Sequence, residues 1–586
     1  MVPTYKSRIR HIQEELNTIQ KRMRLFSWLR LLVFLLIIPA VYYYFTLGYP
    51  FGLLIMTLAL TAIFLIIVRI HADIKYDFTV HNNLLKINQN EINILQQKAS
   101  FLDDGAMYHK SFSYTEDLDI FGPLSIFHMI NRCFSEPGRK KLARWLTSPA
   151  YDQNTIWKRQ RANISVKDEV EVRQSFLAHG LAHFQDSEKT FNVQEQLIPP
   201  STLQKFKILR WILPLITAAA IITTLITHES NWILYGFLLN LILTGFYLKS
   251  TLSLLQQAEQ TFKHLKNYQR PIQIIIQSDY TRDSLKEKKS KLKTIFKHLK
   301  SLQNRYNLLE SRSNIFAGLI LNGFLGFDFW AVTHLHNWYD DHATQIPMWL
   351  DEIAYFEALF SISTFAYNNP SYTLPGIENQ SGISGRNIRH PFIREEENIG
   401  NPLQFTPPLK VILLTGSNMA GKSTFLRSLG VNQILAMTGS VVAADEFNTG
   451  LYAIYTSFRK SDSIHEHTSL FYDELKKLKY IISELKNINI PSIILLDEIL
   501  RGTNSDDKFY GSRQILLRLK DTNSITMLAT HDIALATLEE EHPQTIHNYC
   551  FESQIQNGEL HFDYKLKKGV ATNRNATFLM EKMGII

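Results

Sequence analysis

The stretch LLTGSNMAGKSTFLRSLG, residues 413–430, decides the fold of the C-terminal part of this chain. It contains the pattern G-x-x-x-x-G-K-S, with Gly416, Gly421, Lys422 and Ser423 at the spacing of a phosphate-binding loop. An apolar run before the pattern predicts a strand, and the run after it predicts a helix. In that setting backbone N–H groups surround phosphate oxygens, and the helix N-terminus faces the anion. The sequence therefore predicts nucleotide binding.

The residues of the loop have separate predicted roles. Lys422 would neutralise phosphate charge, and the hydroxyl of Ser423 would hold Mg²⁺. The predicted ATP-binding residues are Gly416, Ser417, Asn418, Met419, Ala420, Gly421, Lys422, Ser423 and Thr424.

A second apolar strand is predicted in PSIILLDEI, residues 491–499, and it ends at an acidic pair. Beside a phosphate-binding loop, Asp497 can hold Mg²⁺ through water, and Glu498 can orient or deprotonate the attacking water. Without the loop, the pair would be interpreted as a solvated strand end.

A third apolar strand, residues 525–529, runs into His531. A histidine at that strand end could contact the γ-phosphate, so it joins Glu498 and Lys422 as a candidate catalytic residue. A lone histidine is more often a surface residue, and the hypothesis depends on the two neighbouring motifs.

These motifs together point to a family. TGSNMAGKSTFLR, LLDEILRGTNSDD and ATHD resemble the MutS mismatch-repair ATPases, which pair two ATP sites across a dimer. The segment SDSIHEHTSLFYDEL is similar to a MutS segment in which Ser469, Phe471 and Glu474 take family positions. The resemblance implies that Ser469 reaches the ATP of the partner, that the chain forms a homodimer, and that it uses ATP and Mg²⁺. Taken alone, Ser469 would be interpreted as a helix N-cap.

The match is not complete. Ser417 and Ala420 stand where the family commonly has Pro and Gly, and Asn504 and Asp506 also differ. None of these changes removes a charged or Mg²⁺-binding group, so hydrolysis is still expected. Upstream, residues 117–149 resemble the MutS core domain.

Four apolar stretches have no counterpart in the soluble MutS domains. They are residues 31–47, 51–68, 211–227 and 232–248. Each is about as long as the roughly 17–25 residues that cross a bilayer, and none shows a polar stripe. They predict two transmembrane hairpins, and four buried core helices are the alternative.

Basic residues flank both hairpins, and neither connecting turn contains Lys or Arg. The positive-inside rule then predicts a multi-pass protein of the inner membrane, with its N-terminus and ATPase domain in the cytoplasm. Two cysteines among 586 residues, Cys133 and Cys550, give no disulfide framework, as expected in a reducing compartment. The formal charge of +8 would suit DNA or an anionic leaflet.

A basic helical segment, residues 282–305, is the remaining candidate for ligand binding. In the family, long helices lead to a clamp on the DNA backbone, and this segment could make similar phosphate contacts. The candidate residues are Lys288, Lys289, Lys291 and Lys293. A solvated helix face is the alternative.

The family's mismatch sensors insert a Phe from a separate reading domain. No Phe-x-Glu sequence precedes residue 117, so direct mismatch reading is not expected here.

The predicted architecture is multidomain, with an α-helical core and lever region, two membrane hairpins and an α/β P-loop ATPase domain. The predicted segments are a basic helix (1–30), hairpin 1 (31–68), the core (69–210), hairpin 2 (211–248), the lever helices (249–371) and the ATPase domain (372–586). The favoured function is a membrane-anchored MutS-like ATPase that binds DNA and is linked to mismatch repair or DNA-structure handling. The alternatives are a mechanochemical ATPase acting on a protein or membrane partner, and an ATP-gated scaffold.

Overall fold

The computed structural model describes residues 1–109, 113–184, 200–280, 283–310, 315–378, 382–417, 420–458, 470–501, 503–556, 559–571 and 585. The chain divides into two compact units. We call residues 1–2, 90–170 and 357–586 the sheet unit, and residues 3–89 and 171–356 the helical unit.

Helices dominate the chain before the first strand. They are α1 (Val2–Thr46), α2 (Phe51–Leu95), α3 (Tyr114–Asp117), α4 (Ile126–Ile130), α5 (Glu136–Thr147), α6 (Gln153–Lys167), α7 (Val170–Phe184), α8 (Pro200–Thr227), α9 (Asn231–Phe246), α10 (Leu248–Lys266), α11 (Gln269–Gln277), α12 (Asp283–Glu310), α13 (Ile315–Leu325), α14 (Phe327–His342) and α15 (Ile346–Asn368).

Strands and helices alternate after α15. The strands are β1 (Gly376–Ile377), β2 (Ile383–Ile388), β3 (Asn401–Phe405), β4 (Val411–Gly416), β5 (Glu446–Thr449), β6 (Ala453–Ser457), β7 (Ser492–Asp497), β8 (Ser524–Thr530), β9 (Ile546–Gln556) and β10 (Glu559–Lys568). The helices are α16 (Lys422–Thr438), α17 (Leu470–Asn487), α18 (Ser505–Lys520) and α19 (Leu538–Glu541). The predicted helical N-terminal region followed by an α/β domain is confirmed.

The larger sheet has the strand order β10-β9-β4-β8-β7-β6, and only the β10–β9 pair is antiparallel. A smaller sheet has the order β1-β5-β2-β3. The strands β4, β7 and β8 are almost wholly buried, which explains their continuous apolar sequences. Because β4, β8 and β7 are parallel neighbours, the loops that follow them meet at one edge of the sheet.

A buried polar network organises the helical part of the sheet unit. The carboxylate of Glu357, on α15, accepts hydrogen bonds from the backbone N–H groups of Phe134 and Ser135, at 2.9 Å each, and from the Ser135 hydroxyl. The Ser135 hydroxyl in turn caps α5 by accepting from Gly138 N. Burial raises the pKa of Glu357 to about 7.

The segment before α4 is joined to the larger sheet. Asp117 accepts hydrogen bonds from the Thr456 hydroxyl on β6 at 2.6 Å and from Lys477 Nζ on α17 at 2.5 Å. Asp119 forms an ion pair with Arg427 on α16. Asp117 and Asp119 therefore connect this segment to α16, which follows the phosphate-binding motif, and to α17, which contains Glu474.

Within the described residues, three helices are long and apolar enough to cross a membrane: Val2–Thr46, Phe51–Leu95 and Thr202–Thr227. Asn231–Phe246 is also apolar but shorter. The predicted basic helix and first apolar span are one continuous helix, α1. Large apolar side chains on α1, α2, α8 and α9 are exposed rather than packed into a core.

Candidate functional site

The loop after β4 has the backbone that the motif predicts. Gly416 ends the strand at a φ of 142°, and a Cβ there would lie 2.5 Å from the carbonyl oxygen of Phe551. Gly421 caps α16 at a φ of 104°, and the helix begins at Lys422. Both conformations favour glycine. Ser423 and Thr424 lie in the first turn of α16, and Asn418 and Met419 lie outside the described residues.

The Lys422 side chain folds back over this loop. Its Nζ atom donates to the carbonyl oxygens of Gly416 at 2.6 Å and Ser417 at 2.8 Å, and lies 3.2 Å from His531 Nε2. Burial lowers the pKa of Lys422 to about 8, while the carboxylate of Asp497 opposes that shift. The ammonium group therefore occupies a confined, partly desolvated place beside the loop, where an anion would be favoured.

The His531 side chain, just after the end of β8, approaches the ammonium group of Lys422. Burial, reinforced by Lys422, lowers the pKa of its imidazole to about 4, so the ring is neutral at pH 7. An ammonium group only donates, so Nε2 accepts the hydrogen bond from Lys422 and the ring proton is on Nδ1. The strand register explains why His531 lies close to the loop of Lys422, because Thr415 at the end of β4 pairs with Thr530 at the end of β8.

The acidic pair lies at the same edge. Asp497 ends β7 and pairs with Ala529, two residues before His531. Glu498 has a φ of 54° and donates its backbone N–H to Ala529 O at 2.8 Å. Its carboxylate forms an ion pair with Arg501 and lies 3.5 Å from Lys508 Nζ. The carboxylate of Glu498 therefore lies between two cationic side chains, those of Arg501 and Lys508.

Sequence reasoning did not predict the part that Glu474 plays. Its two carboxylate oxygens accept hydrogen bonds from the backbone N–H groups of Leu500, at 2.5 Å, and Arg501, at 3.3 Å. Leu500 has a φ of 59°, a strained conformation for a branched residue. Glu474 therefore supports the turn that contains the cation partner of Glu498. Ser469 lies outside the described residues.

A cavity of about 690 Å³ adjoins the first turn of α16. Lys422, Ser423 and Thr424 line part of its wall. The rest of the wall comes from distant segments and includes Ile388, His390, Ile399, Asn401, Phe551 and Tyr564. Its size and mixture of apolar, aromatic and polar groups suit a nucleoside. No local pattern marks these residues, since they come from four separate parts of the sequence.

Mg²⁺ was predicted to bind Ser423 and Asp497. A hydroxyl and a carboxylate are suitable oxygen ligands, and Mg²⁺ commonly takes only one or two protein groups besides phosphate and water. Among the described residues, no group of three or more His, Cys, Asp or Glu side chains is placed to hold a metal ion. The residues present fit the ion.

The predicted DNA-contact lysines lie on α12, and three of the four have partners within the chain. Lys288 Nζ is 2.8 Å from Glu352, and Lys291 lies 3.0 Å from Glu287 and 3.7 Å from Glu352. Lys289 donates to the carbonyl oxygen of Ser278 at 2.5 Å. Lys293 is exposed. The positive charge of this surface is therefore partly neutralised.

Comparisons with known proteins agree with the motifs. Residues 412–582 match MutS domain V. The DNA mismatch repair protein MutS of Streptococcus uberis is 31% identical over 227 residues, covering 37% of this chain and 26% of that protein. MutS protein homolog 4 of Homo sapiens is 34% identical over 200 residues, covering 32% of this chain and 20% of that protein. Mouse DNA mismatch repair protein Msh3 is 26% identical over 256 residues, covering 40% of this chain and 23% of that protein. The matches span about a quarter or less of those relatives.

Proposed function

Because this chain belongs to the MutS family, we propose that it is a membrane-anchored, Mg²⁺-dependent ATPase that couples nucleotide turnover to DNA binding. One observation carries the enzymatic part. Lys422, His531 and the acidic pair Asp497–Glu498 lie at or just after the ends of three parallel strands and meet at one sheet edge. Such a cluster suits phosphoryl transfer, in which positioning and charge stabilisation supply most of the catalysis.

The site residues have distinct roles in this proposal. Lys422 exchanges its contacts with Gly416 and Ser417 for phosphate oxygens. His531 donates a hydrogen bond to the γ-phosphate once its ring has turned or taken up a proton. Glu498 leaves Arg501 and orients the attacking water. Ser423 and Asp497 would hold Mg²⁺, which neutralises charge on the phosphates when bound.

The paired site is the second element of the proposal. Ser469 contacts the nucleotide of a second copy, so two chains close around two ATP molecules. Closure would reposition the lever helices (249–371) of each chain and change their grip on a ligand. Crosslinking of purified chain should show more dimer with ATP and Ser469 intact than with Ser469→Ala.

Membrane anchoring is supported by the exposed apolar faces of α1, α2, α8 and α9. The absence of basic residues from both connecting turns supports a topology in which the turns lie outside the cytoplasm. A topology reporter fused after Glu229 should be active only outside the cytoplasm. A reporter active in the cytoplasm at that position would refute the hairpin arrangement.

DNA is the favoured ligand because two of the similar proteins are named DNA mismatch repair proteins. The test is binding of the lipid-reconstituted chain to perfect, mismatched and branched duplexes, with and without ATP, over a salt series. Backbone recognition predicts affinity that falls steeply with salt and differs little between sequences. Lack of binding to every duplex at low salt would reject DNA.

A second candidate is a mechanochemical ATPase that acts on a protein or membrane partner. The observation that favours it is the neutralisation of the α12 lysines by Glu352 and Glu287. The same assay separates the two functions. Turnover that is unaffected by DNA but changes with lipid or protein fractions supports the second candidate.

A further inference from the structure

The helix α13 (Ile315–Leu325) has an unusual setting for a lever helix. Its sequence, IFAGLILNGFL, contains no charged residue. The helix packs against α8 and α9, which form the predicted second hairpin. At 11 residues it is too short to be recognised as a membrane span from sequence alone.

Polar groups fix the end of α13 to this hairpin. The fully buried amide of Asn240, on α9, donates to the carbonyl oxygens of Gly323 at 3.0 Å and Leu213 at 3.1 Å. The hydroxyl of Thr217, on α8, donates to the carbonyl oxygen of Phe324 at 2.6 Å. The last carbonyl groups of α13 therefore have partners that do not depend on water, as the interior of a bilayer requires.

Two glycines let side chains of the hairpin pack directly against the backbone at the end of α13. A Cβ on Gly323 would lie 2.1 Å from the ring of Phe237 on α9, so no larger residue fits there. Gly326 has a φ of 56°, and a Cβ there would lie 2.6 Å from Leu213. Close packing at small residues, combined with interhelical hydrogen bonds, is typical of helix association in membranes.

The outer face of α13 is apolar and exposed. The exposed fractions are 44% for Leu319, 56% for Ile320 and 48% for Leu325. On the hairpin itself, Leu225 is 69% exposed and Ile242 is 57% exposed. Exposed apolar surface is unfavourable in water in proportion to its area, so a face of this kind is stable where an apolar phase covers it.

We propose that α13 is a third membrane-embedded element, and that lipid acyl chains cover its outer face. The proposal rests on the proposed insertion of α8 and α9, because α13 shares their exposed apolar surface and hydrogen bonds. At 1.5 Å per residue the helix is about 16 Å long, roughly half the hydrocarbon core, so it enters one leaflet without crossing. The membrane unit of hairpin 2 is therefore α8, α9 and α13, with the chain leaving at Gly326 into α14.

The test uses single cysteines labelled with bimane in the full chain, reconstituted in phosphatidylcholine–phosphatidylglycerol vesicles. The variants are Leu319→Cys and Ile320→Cys on α13, Leu225→Cys on α8, and Lys300→Cys on the exposed face of α12. The wild-type chain, whose Cys133 and Cys550 are buried, gives the labelling background. Each label is challenged with nitroxide-bearing phospholipid and, separately, with aqueous iodide. The use of two α13 positions guards against local misfolding at either one.

The proposal predicts that both α13 labels are quenched by nitroxide lipid to the extent seen at Leu225→Cys and are protected from iodide. Quenching of the α13 labels by iodide, with Leu225→Cys quenched by lipid, would overturn the α13 assignment and leave the anchor intact. Protection of the α13 labels from both quenchers would mean that protein covers this face, which also overturns the proposal. Quenching of Leu225→Cys by iodide would reject membrane insertion itself.

Discussion

The Nζ atom of Lys422 lies 3.2 Å from Nε2 of His531, so the cation of the loop after β4 and the histidine after β8 form one unit. The low pKa of His531, about 4, keeps the ring neutral and able to accept this hydrogen bond. The pair marks the place where phosphate charge would enter, because an anion there would compete for both side chains.

Substitution His531→Ala should lower kcat for ATP by about 10²-fold, the usual scale for losing one stabilising donor. Binding of ATP should change little, because Lys422 and the loop N–H groups remain. Steady-state turnover and nucleotide titration separate the two effects. His547→Ala, a partly buried histidine on β9, is the matched control. A variant with wild-type kcat would remove His531 from the catalytic set.

Substitution Glu474→Gln should slow turnover through the turn that it supports. Each oxygen of Glu474 accepts from a different backbone N–H group, and a Gln side chain can accept at only one of those positions. One unpaired amide costs about 1–3 kcal/mol, enough to release the strained turn at Leu500. We expect kcat to fall while the Kd for ATP stays near wild type. Asp473→Asn is the control, and equal losses in both variants would contradict the assignment.

Substitution Tyr564→Ala should weaken ATP binding by about tenfold, since stacking of a base on an aromatic ring contributes roughly 1–3 kcal/mol. Tyr564 lines the cavity beside α16 but lies on β10, away from the acidic pair. The value of kcat at saturating ATP should therefore change little. Calorimetric titration measures the affinity, and Tyr510→Ala, an exposed tyrosine on α18, is the control. Unchanged affinity would place the nucleoside elsewhere.

Glu357 should make stability fall as pH rises. Its pKa in the folded chain is about 7, above the ordinary value of 4.5, so the folded state binds the extra proton between those values. Stability from this group is therefore greatest below pH 4.5 and is lost progressively up to about pH 7. Denaturant unfolding of Glu357→Gln in detergent should lose this dependence, whereas Glu446→Gln, an exposed glutamate, should keep it. An unchanged pH profile in Glu357→Gln would contradict the assignment.

The clustering of these side chains at one sheet edge could be predicted because each motif is short and lies at or just after the end of a strand. A phosphate-binding loop uses contiguous residues, and the ends of parallel strands meet at one edge, so Lys422, Asp497 and His531 could be grouped from sequence. The strands β4, β7 and β8 were predicted for the same reason, since continuous burial gives continuous apolar sequence.

The remaining parts depend on tertiary contacts that no local pattern records. Glu474 and Leu500 are 26 residues apart and meet through a side chain–backbone hydrogen bond. The charge run of α12 gave no sign that Glu352, 64 residues from Lys288, neutralises part of it. The membrane setting of α13 follows from Asn240 and Gly323 rather than from its own length.

The most direct test of the account is ATP turnover by the lipid-reconstituted chain when Glu498 is changed to Gln, with Asp521→Asn as a distant exposed control. The account predicts that E498Q binds ATP and accumulates ATP-bound dimers, while kcat falls by at least about 10²-fold, the scale of general-base catalysis. The control should hydrolyse ATP at the wild-type rate. Wild-type turnover by E498Q would contradict the proposed mechanism.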